Sequence, residues 1–203
     1  MNPAAQLLLA NKSWAQERRA IDPEFFARFT RGQRPQFLWI SCSDSRLPAN
    51  EITASDPGEL FVHRNIANLV VHDDLNVLSV LQYAVDALEV GHVIVCGHHG
   101  CGGIAAALDG DPPGLLAAWL RPVVRLRDEH RAELDALPLA RRWDRLVELN
   151  AVAQAERLVE TAIVRDAWAR ARRPIVHAWV YSLEDGLLRP LAALTPEGPI
   201  AQT

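Results

Sequence analysis

Two short apolar runs, each followed by thiol or imidazole side chains, constrain the fold of this chain more than any other feature. Phe37–Ile40 leads into Cys42, and Val93–Val95 leads into His98 and Cys101. Runs that are short and almost wholly apolar are typical of the buried strands of a parallel sheet. Because ligands collect where the strands of such a sheet end, we expect these three side chains to meet at one edge.

The rest of the pattern alternates strands with helices. It predicts an α/β fold: a central, mostly parallel β-sheet flanked by helices, with an N-terminal helical arm and a C-terminal hairpin strand. A length of 203 residues fits a single domain, with the arm over residues 1–33 and the α/β core over 34–203. Strands are predicted over residues 36–40, 60–63, 92–96 and 175–181, and the hairpin follows Asp185-Gly186. Helices are predicted over residues 4–19, 23–31, 75–88, 115–134 and 144–171, with a short one opening at Gly102-Gly103.

The composition excludes several classes of protein. A net charge of -4 gives no general attraction for nucleic acid or anionic membranes. No apolar run approaches the roughly 18 residues of a membrane span, and Leu7–Ala10 is too short for the core of a signal peptide. Three cysteines, an odd number, argue against a disulfide framework, so we expect a cytoplasmic protein. Four basic residues alternate with acidic ones, which is typical of a solvated helix face: Arg121, Arg125, Arg127 and Arg131.

Cys42, His98 and Cys101 form a set of nitrogen and sulfur ligands that predicts a zinc site. Thiolates select zinc over magnesium or calcium. Cys42 is remote in sequence from the other two ligands, unlike the local pairs of a zinc finger, and three protein ligands leave a fourth position open for chemistry. His99 is an alternative to His98. Cys96 lies inside an apolar run and is interpreted as a small buried hydrophobe.

Asp44 and Arg46 follow Cys42 closely enough to act at the same site. The plainer interpretation is an ion pair that fixes a loop. A carboxylate in this position can also reach the fourth metal position or a water held there, and a bidentate pair with arginine would fix its orientation. Two thiolates neutralise the charge of zinc, so they lower the pKa of bound water less than three neutral histidines would. Such a site needs help to hold a hydroxide near neutral pH. An ionised Asp44 would orient the attacking oxygen by accepting a hydrogen bond from it. The expected reaction is addition of zinc-bound hydroxide to a small electrophile.

These residues lie in motifs by which the chain resembles the β-class carbonic anhydrases. Cys42–Arg46 and the segment His98–Gly103 match the two signature motifs of that family, and Pro57–Asn68 matches a further stretch. The resemblance extends from about Arg34 to Gly186, which is most of the chain. It favours His98 over His99 as the metal ligand.

The resemblance implies reversible hydration of carbon dioxide to bicarbonate and a proton. It implies that the zinc ligands, one zinc per subunit, are Cys42, His98 and Cys101, and that Asp44 and Arg46 form the catalytic pair. In this family the aspartate also binds zinc directly in a closed, inactive state. The N-terminal helices fit the family's arm that wraps a partner subunit, so we expect a homodimer or a homotetramer. The family's small substrate pocket, formed partly by the neighbouring subunit, corresponds to three residues: Gln33, Phe61 and Tyr83.

One subgroup of the family has a second, non-catalytic bicarbonate site made by a tryptophan, an arginine and a tyrosine. Trp39, Arg64 and Tyr181 occupy those positions. The resemblance therefore implies inhibition by bicarbonate. Bound bicarbonate would favour the closed state in which Asp44 binds zinc, and acid pH would favour the same state. Ser41 and Leu47 stand where relatives usually have glycine and valine, and both flank the loop that must move, so we expect a retuned switch.

Two other functions compete with this interpretation. A hydrolase of the same fold, acting on another small heterocumulene such as carbon disulfide, would differ in access to its pocket. A structural zinc domain would have a closed, four-ligand site and no need for Arg46. His63, His72 and His99 are candidate proton shuttles, and the sequence does not distinguish among them.

Overall fold

A computed structural model describes residues 2–110, 112 and 114–200, apart from the side chain of residue 140. The chain divides into two compact units, Met1–Arg34 and Pro35–Thr203. These bounds lie close to those of the expected arm and core. That both units belong to a single domain stays a prediction.

The first unit contains helix α1, Pro3–Ile21, and a 3-10 helix, Ala27–Arg31. Asn2 starts α1 by accepting a hydrogen bond from the N–H of Ala4 at 2.9 Å. The helix predicted over residues 23–31 is wrong in its first half, where residues 23–26 form turns. A segment this short does not sustain an α-helix without packing that offsets nucleation. Four rings instead pack edge to face with centroids 5.1–6.2 Å apart: Trp14, Phe25, Phe26 and Phe29.

The second unit is built on a sheet with the strand order β2-β1-β3-β4-β5-β6. The first four strands are parallel, and β5 and β6 are added antiparallel after β4. This topology confirms the predicted fold class, including the C-terminal hairpin strand. The short β6 was not predicted, because its glycine and proline are residues that strands usually lack. The strands are β1 Phe37–Cys42, β2 Leu60–Asn65, β3 His92–His98, β4 Ile175–Tyr181, β5 Leu188–Thr195 and β6 Gly198–Ile200.

Helices flank this sheet, and the predicted long helices are divided. Pro122 lies in the first turn of a new helix, because proline lacks the N–H that a helix interior needs. Thr161 caps another by accepting a hydrogen bond from the N–H of Val164 at 3.3 Å. A 3-10 turn spans Ile66–Asn68, and a π-helical turn, Tyr83–Ala87, ends α3. The helices are α2 Ala49–Ile52, α3 Leu75–Gln82, α4 Gly102–Asp109, α5 Leu115–Trp119, α6 Arg121–Glu129, α7 Arg131–Asp135, α8 Leu139–Val159 and α9 Ala162–Ala171.

Side chains of the central strands alternate between the two faces of the sheet, as the pleat requires. Leu38 and Ile40 of β1 pack in a cluster that includes residues of α8 and α9. Trp39 faces the other way and packs with Ile94 and Cys96 of β3. Cys96 is fully buried, and burial raises the pKa of its thiol, as expected for a small core residue. Both faces of the central strands are therefore buried.

Candidate metal centre and catalytic pair

The structure brings the three predicted metal ligands together. Cys42 ends β1, His98 ends β3, and Cys101 immediately precedes α4. Because β1 and β3 are parallel neighbours, their carboxyl ends meet at one edge of the sheet. One ligand atom from each residue lies within 4.8 Å of the others, and all three residues are buried. Within the described residues, these three are the group able to hold a metal ion.

The geometry of these side chains fits a tetrahedral zinc. The sulfurs of Cys42 and Cys101 are 3.8 Å apart. Two sulfurs bound to one tetrahedral zinc at about 2.3 Å lie about 3.8 Å from each other. Nδ1 of His98 lies 3.1 Å from the carbonyl oxygen of His99, to which its N–H can donate. Its buried Nε2 has no hydrogen-bond partner among the described residues, so its lone pair is free for a metal.

The two thiols share a proton in a way that suits a divalent cation. The Cys101 thiol donates to the sulfur of Cys42, and this hydrogen bond lowers the pKa of Cys42 against the opposing effect of burial. Backbone N–H groups of Ala67 and Asp44 lower it further. The pKa of Cys101 is raised, because its proton is held by Cys42 and because it is buried. A bound divalent metal displaces the remaining proton, since coordinated thiols are deprotonated.

Asp44 and Arg46 form a bidentate ion pair beside this cluster. The Nε of Arg46 donates to Oδ1 of Asp44 at 2.9 Å, and an Nη donates to Oδ2 at 2.7 Å. These bonds hold the pKa of the Asp44 carboxyl well below its usual range. Oδ2 also lies 3.8 Å from Nε2 of His98, at the margin of the ligand cluster. An ionised, oriented carboxylate therefore faces the candidate metal position.

Trp39, Arg64 and Tyr181, which were predicted to bind bicarbonate, lie on three strands of the sheet. The indole N–H of Trp39 is buried and without a partner among the described residues. Tyr181 is half-buried in the same cluster as Trp39. Arg64 donates through Nε to the carbonyl of Cys42 at 3.0 Å and through an Nη to the carbonyl of Asp44. The arginine therefore holds the loop that carries Asp44.

Of the predicted pocket residues Gln33, Phe61 and Tyr83, the two in the second unit, Phe61 and Tyr83, do not lie beside Cys42. Phe61 contacts Tyr83 with ring centroids 5.7 Å apart. In the sheet register Phe61 lies opposite Leu38, four residues before Cys42. That separation is about 13 Å along the strand. Gln33 belongs to the first unit, where it is exposed in an irregular segment. The role of these three residues stays a prediction.

The structure also reveals features beside the site that the sequence did not indicate. A cavity of about 750 Å³ opens next to the ligand loop, and its lining includes Ser43, Ile66, Leu116 and Trp119. Trp143 donates its indole N–H to the carbonyl of Cys101 at 2.9 Å. Trp143 lies just before the predicted helix 144–171 and its partner is 42 residues away, so no local pattern indicated this contact.

Comparison with known proteins agrees with this geometry. The family model described as carbonic anhydrase matches residues 37–188. A carbonic anhydrase of Emericella nidulans is 47% identical over 183 residues, which cover 90% of this chain and 80% of that protein. One from Pseudomonas aeruginosa is 36% identical over 83% of this chain and 78% of that protein.

Solved structures agree in fold. The β-carbonic anhydrase of Coccomyxa, in complex with acetazolamide, superposes with a TM-score of 0.91 at 38% identity, covering 98% of this chain and 89% of that chain. A tetrameric β-carbonic anhydrase of Sordaria macrospora gives a TM-score of 0.91 at 38% identity, covering 99% and 100%. The family match over most of the chain, together with these relatives, shows that this chain belongs to the β-carbonic anhydrase family of enzymes.

Proposed function

We propose that this chain catalyses the reversible hydration of carbon dioxide to bicarbonate with one zinc ion held by Cys42, His98 and Cys101. The convergence of these three buried ligand atoms beside an oriented carboxylate carries the proposal. When bound, zinc supplies an activated water at neutral pH. Carbonic anhydrase activity in the named relatives supports this assignment.

Asp44 and Arg46 act as a unit in this proposal. Arg46 occupies both carboxylate oxygens with directed N–H bonds, so Asp44 stays ionised and its orientation is fixed. An ionised carboxylate only accepts hydrogen bonds. Oδ2 would therefore accept a hydrogen bond from the attacking oxygen and direct a lone pair of that oxygen towards carbon dioxide. Correct orientation of the attacking group is a main source of catalytic rate.

Carbon dioxide reaches this site through the cavity that opens beside Ser43. Its walls include apolar groups of Ile66, Leu116 and Trp119, which suit an uncharged substrate without a permanent dipole. Carbon disulfide has the same linear, apolar character. Assay of both substrates with one preparation distinguishes the two activities.

A second copy of this chain is proposed to complete the pocket. Phe61 and Tyr83 are too far along the sheet from their own Cys42, and Tyr83 is 50% exposed. The first unit exposes the apolar side chains of Leu7 and Leu8 by 74% and 73%, which is typical of a surface that another chain covers. The tetramer of the Sordaria relative supports a homodimer or homotetramer. In such an assembly the partner copy supplies the predicted pocket residues.

Bicarbonate is also proposed as an inhibitor that binds Trp39, Arg64 and Tyr181. An anion that draws the Arg64 guanidinium away from the carbonyls of Cys42 and Asp44 releases the loop between β1 and α2. Asp44 can then rotate from Arg46 towards the metal and close the site. The free thiols of the chain suit the reducing cytoplasm, where we place the enzyme. None of the helices in the described residues is both long and apolar enough to cross a membrane.

The decisive experiment measures zinc content and carbon dioxide hydration on the same preparations. Cys42→Ala is expected to lose zinc and activity together, because it removes one of three ligands. Cys96→Ala is the matched control, since it removes an equally buried thiol that packs in the apolar cluster around Trp39. Stoichiometric zinc and a full rate in Cys42→Ala would exclude Cys42 as a ligand and refute the proposed site.

A further inference from the structure

One helix, α8, contacts the backbone of Cys101 and the backbone of the loop after β2, which packs beside Cys42. Trp143, Asn150 and Gln154 are spaced by seven and four residues, which places them on one face of the helix. Trp143 donates to the carbonyl of Cys101, at the start of α4. The helix also lies against β3, where a side chain added at Gly97 would come within 3.1 Å of Val147.

Asn150 and Gln154 form a buried chain of hydrogen bonds to the loop after β2. The amide oxygen of Gln154 accepts from the N–H of Val70 at 2.8 Å, and its Nε2 donates to Oδ1 of Asn150 at 3.0 Å. Nδ2 of Asn150 donates to the carbonyl of Ala67 at 2.9 Å. Both side chains are 1% exposed. This buried network therefore has a specific orientation, in which each amide both donates and accepts.

The loop held in this way has an unusual conformation. Ala67 and Asn68 adopt φ values of 64° and 48°, in the left-handed region that residues other than glycine seldom occupy. Such a conformation persists where the surrounding structure holds it. Ala67 and Cys42 pack in the same buried cluster, and hydrogen bonding by the backbone N–H of Ala67 lowers the pKa of the Cys42 thiol. The carbonyl of Ala67 accepts a hydrogen bond from Asn150. The backbone of Ala67 therefore connects the buried amides of α8, through its carbonyl, to the candidate metal ligand Cys42, through its N–H.

We propose that Asn150, supported by Gln154, is a positioning residue that holds the left-handed turn at Ala67 so that its N–H donates to the Cys42 sulfur. The inference rests on the proposed function, because it requires Cys42 to be a metal ligand. Donation to the sulfur withdraws charge from it and fixes its position before metal arrives. Groups in this role tune metal affinity as well as the electronic state of the ligand.

The test compares Asn150→Leu with Leu158→Ala on the full chain. Asn150→Leu removes the donor to Ala67 at similar volume, whereas Leu158→Ala weakens the packing of the same helix in the apolar cluster and removes no hydrogen bond to the loop. Cobalt(II) is the probe, because its thiolate charge-transfer band reports the charge on sulfur. Metal affinity is measured by competition with a chelator, at a temperature where circular dichroism shows both variants to be folded.

Asn150→Leu is expected to bind cobalt about 10- to 100-fold more weakly and to shift the charge-transfer band to lower energy, since the sulfur loses its donor. Leu158→Ala should keep the parent affinity and band. Should Asn150→Leu fail to fold, Gln154→Leu, which removes the support of Asn150, is expected to shift the band in the same direction by a smaller amount.

A band at the parent position in a folded Asn150→Leu or Gln154→Leu protein would overturn the inference, even with weakened metal binding. Equal shifts in Leu158→Ala would overturn it as well, because the effect would then be general to the helix. Loss of the charge-transfer intensity that depends on Cys42, measured with Cys42→Ala, tests the proposed site separately. Cys101 still supplies one thiolate in Cys42→Ala, so part of the intensity should be lost. A band of unchanged position and intensity in Cys42→Ala would refute Cys42 as a ligand, and with it the proposed site.

Discussion

Gly103→Ala tests how closely α4 must approach the turn at Ile66–Asn68. A methyl group at this position would lie 2.9 Å from Cγ2 of Ile66 and 3.4 Å from Cβ of Ala67. Carbon atoms in good contact are about 3.5–4.0 Å apart. Cγ2 cannot move aside easily, since β-branched side chains are stiff at χ1. Either α4 or the turn beside Cys42 must therefore shift.

The size of the effect follows from comparison with the neighbouring glycine. Among the residues that the structure describes, nothing lies within 4 Å of a methyl group added at Gly102, which also opens α4. Replacing glycine by alanine in a compatible helical position stabilises by about 0.4–1 kcal/mol through the unfolded chain. Overpacking costs about 1–3 kcal/mol. Both variants have the same stabilisation from the less flexible unfolded chain, and only Gly103→Ala has the cost of overpacking. Gly103→Ala should therefore be less stable than Gly102→Ala by about 1–3 kcal/mol.

Urea unfolding followed by circular dichroism measures this difference, at fixed protein and zinc concentrations. Ile66→Ala removes the contacted methyl group, so in the double variant Gly103→Ala should cost less than it does alone. A coupling energy of about 0.5–3 kcal/mol is the range for residues in contact. Equal stability of Gly103→Ala and Gly102→Ala would show that the turn and α4 are not packed as closely as described.

Three further predictions concern the charged groups. Asp44→Asn should retain zinc but lose most carbon dioxide hydration, and an unimpaired rate would remove Asp44 from the mechanism. Arg64→Ala should weaken inhibition by bicarbonate below neutral pH, whereas unchanged inhibition would count against the allosteric site. The Glu148 carboxylate lies 3.4 Å from Nε2 of His99 and raises the pKa of that imidazole. A histidine whose pKa is higher in the folded protein than in the unfolded chain stabilises the fold when it is protonated. This stabilisation is complete below the pKa of the unfolded chain, about 6.5, and is lost as the pH rises through the pKa of the folded protein. Glu148→Gln should therefore lose more stability at pH 6 than at pH 8, and equal losses would contradict this pairing.

The elements predicted best are those with strong local signals. The strand at Ile175–Tyr181 has the bounds expected from its proline and its apolar composition. The meeting of Cys42, His98 and Cys101 was predicted because each lies at or just after the end of a buried strand, and parallel strands end at a common edge. Helix boundaries were predicted less well. The capping hydrogen bond at Thr161 ends one helix and starts another without interrupting the helical pattern of the sequence.

The sequence by itself determined the fold class, the ligand types and the neighbourhood of Asp44 and Arg46, because these depend on composition and on residues a few positions apart. Only the tertiary structure decided that Asn150 reaches the carbonyl of Ala67, 83 residues away. It also decided that Phe61 lies far along the sheet from its own Cys42. Both outcomes depend on strand register and on the placement of α8 against the sheet. Such long-range geometry arises from packing among many residues, so no local pattern encodes it.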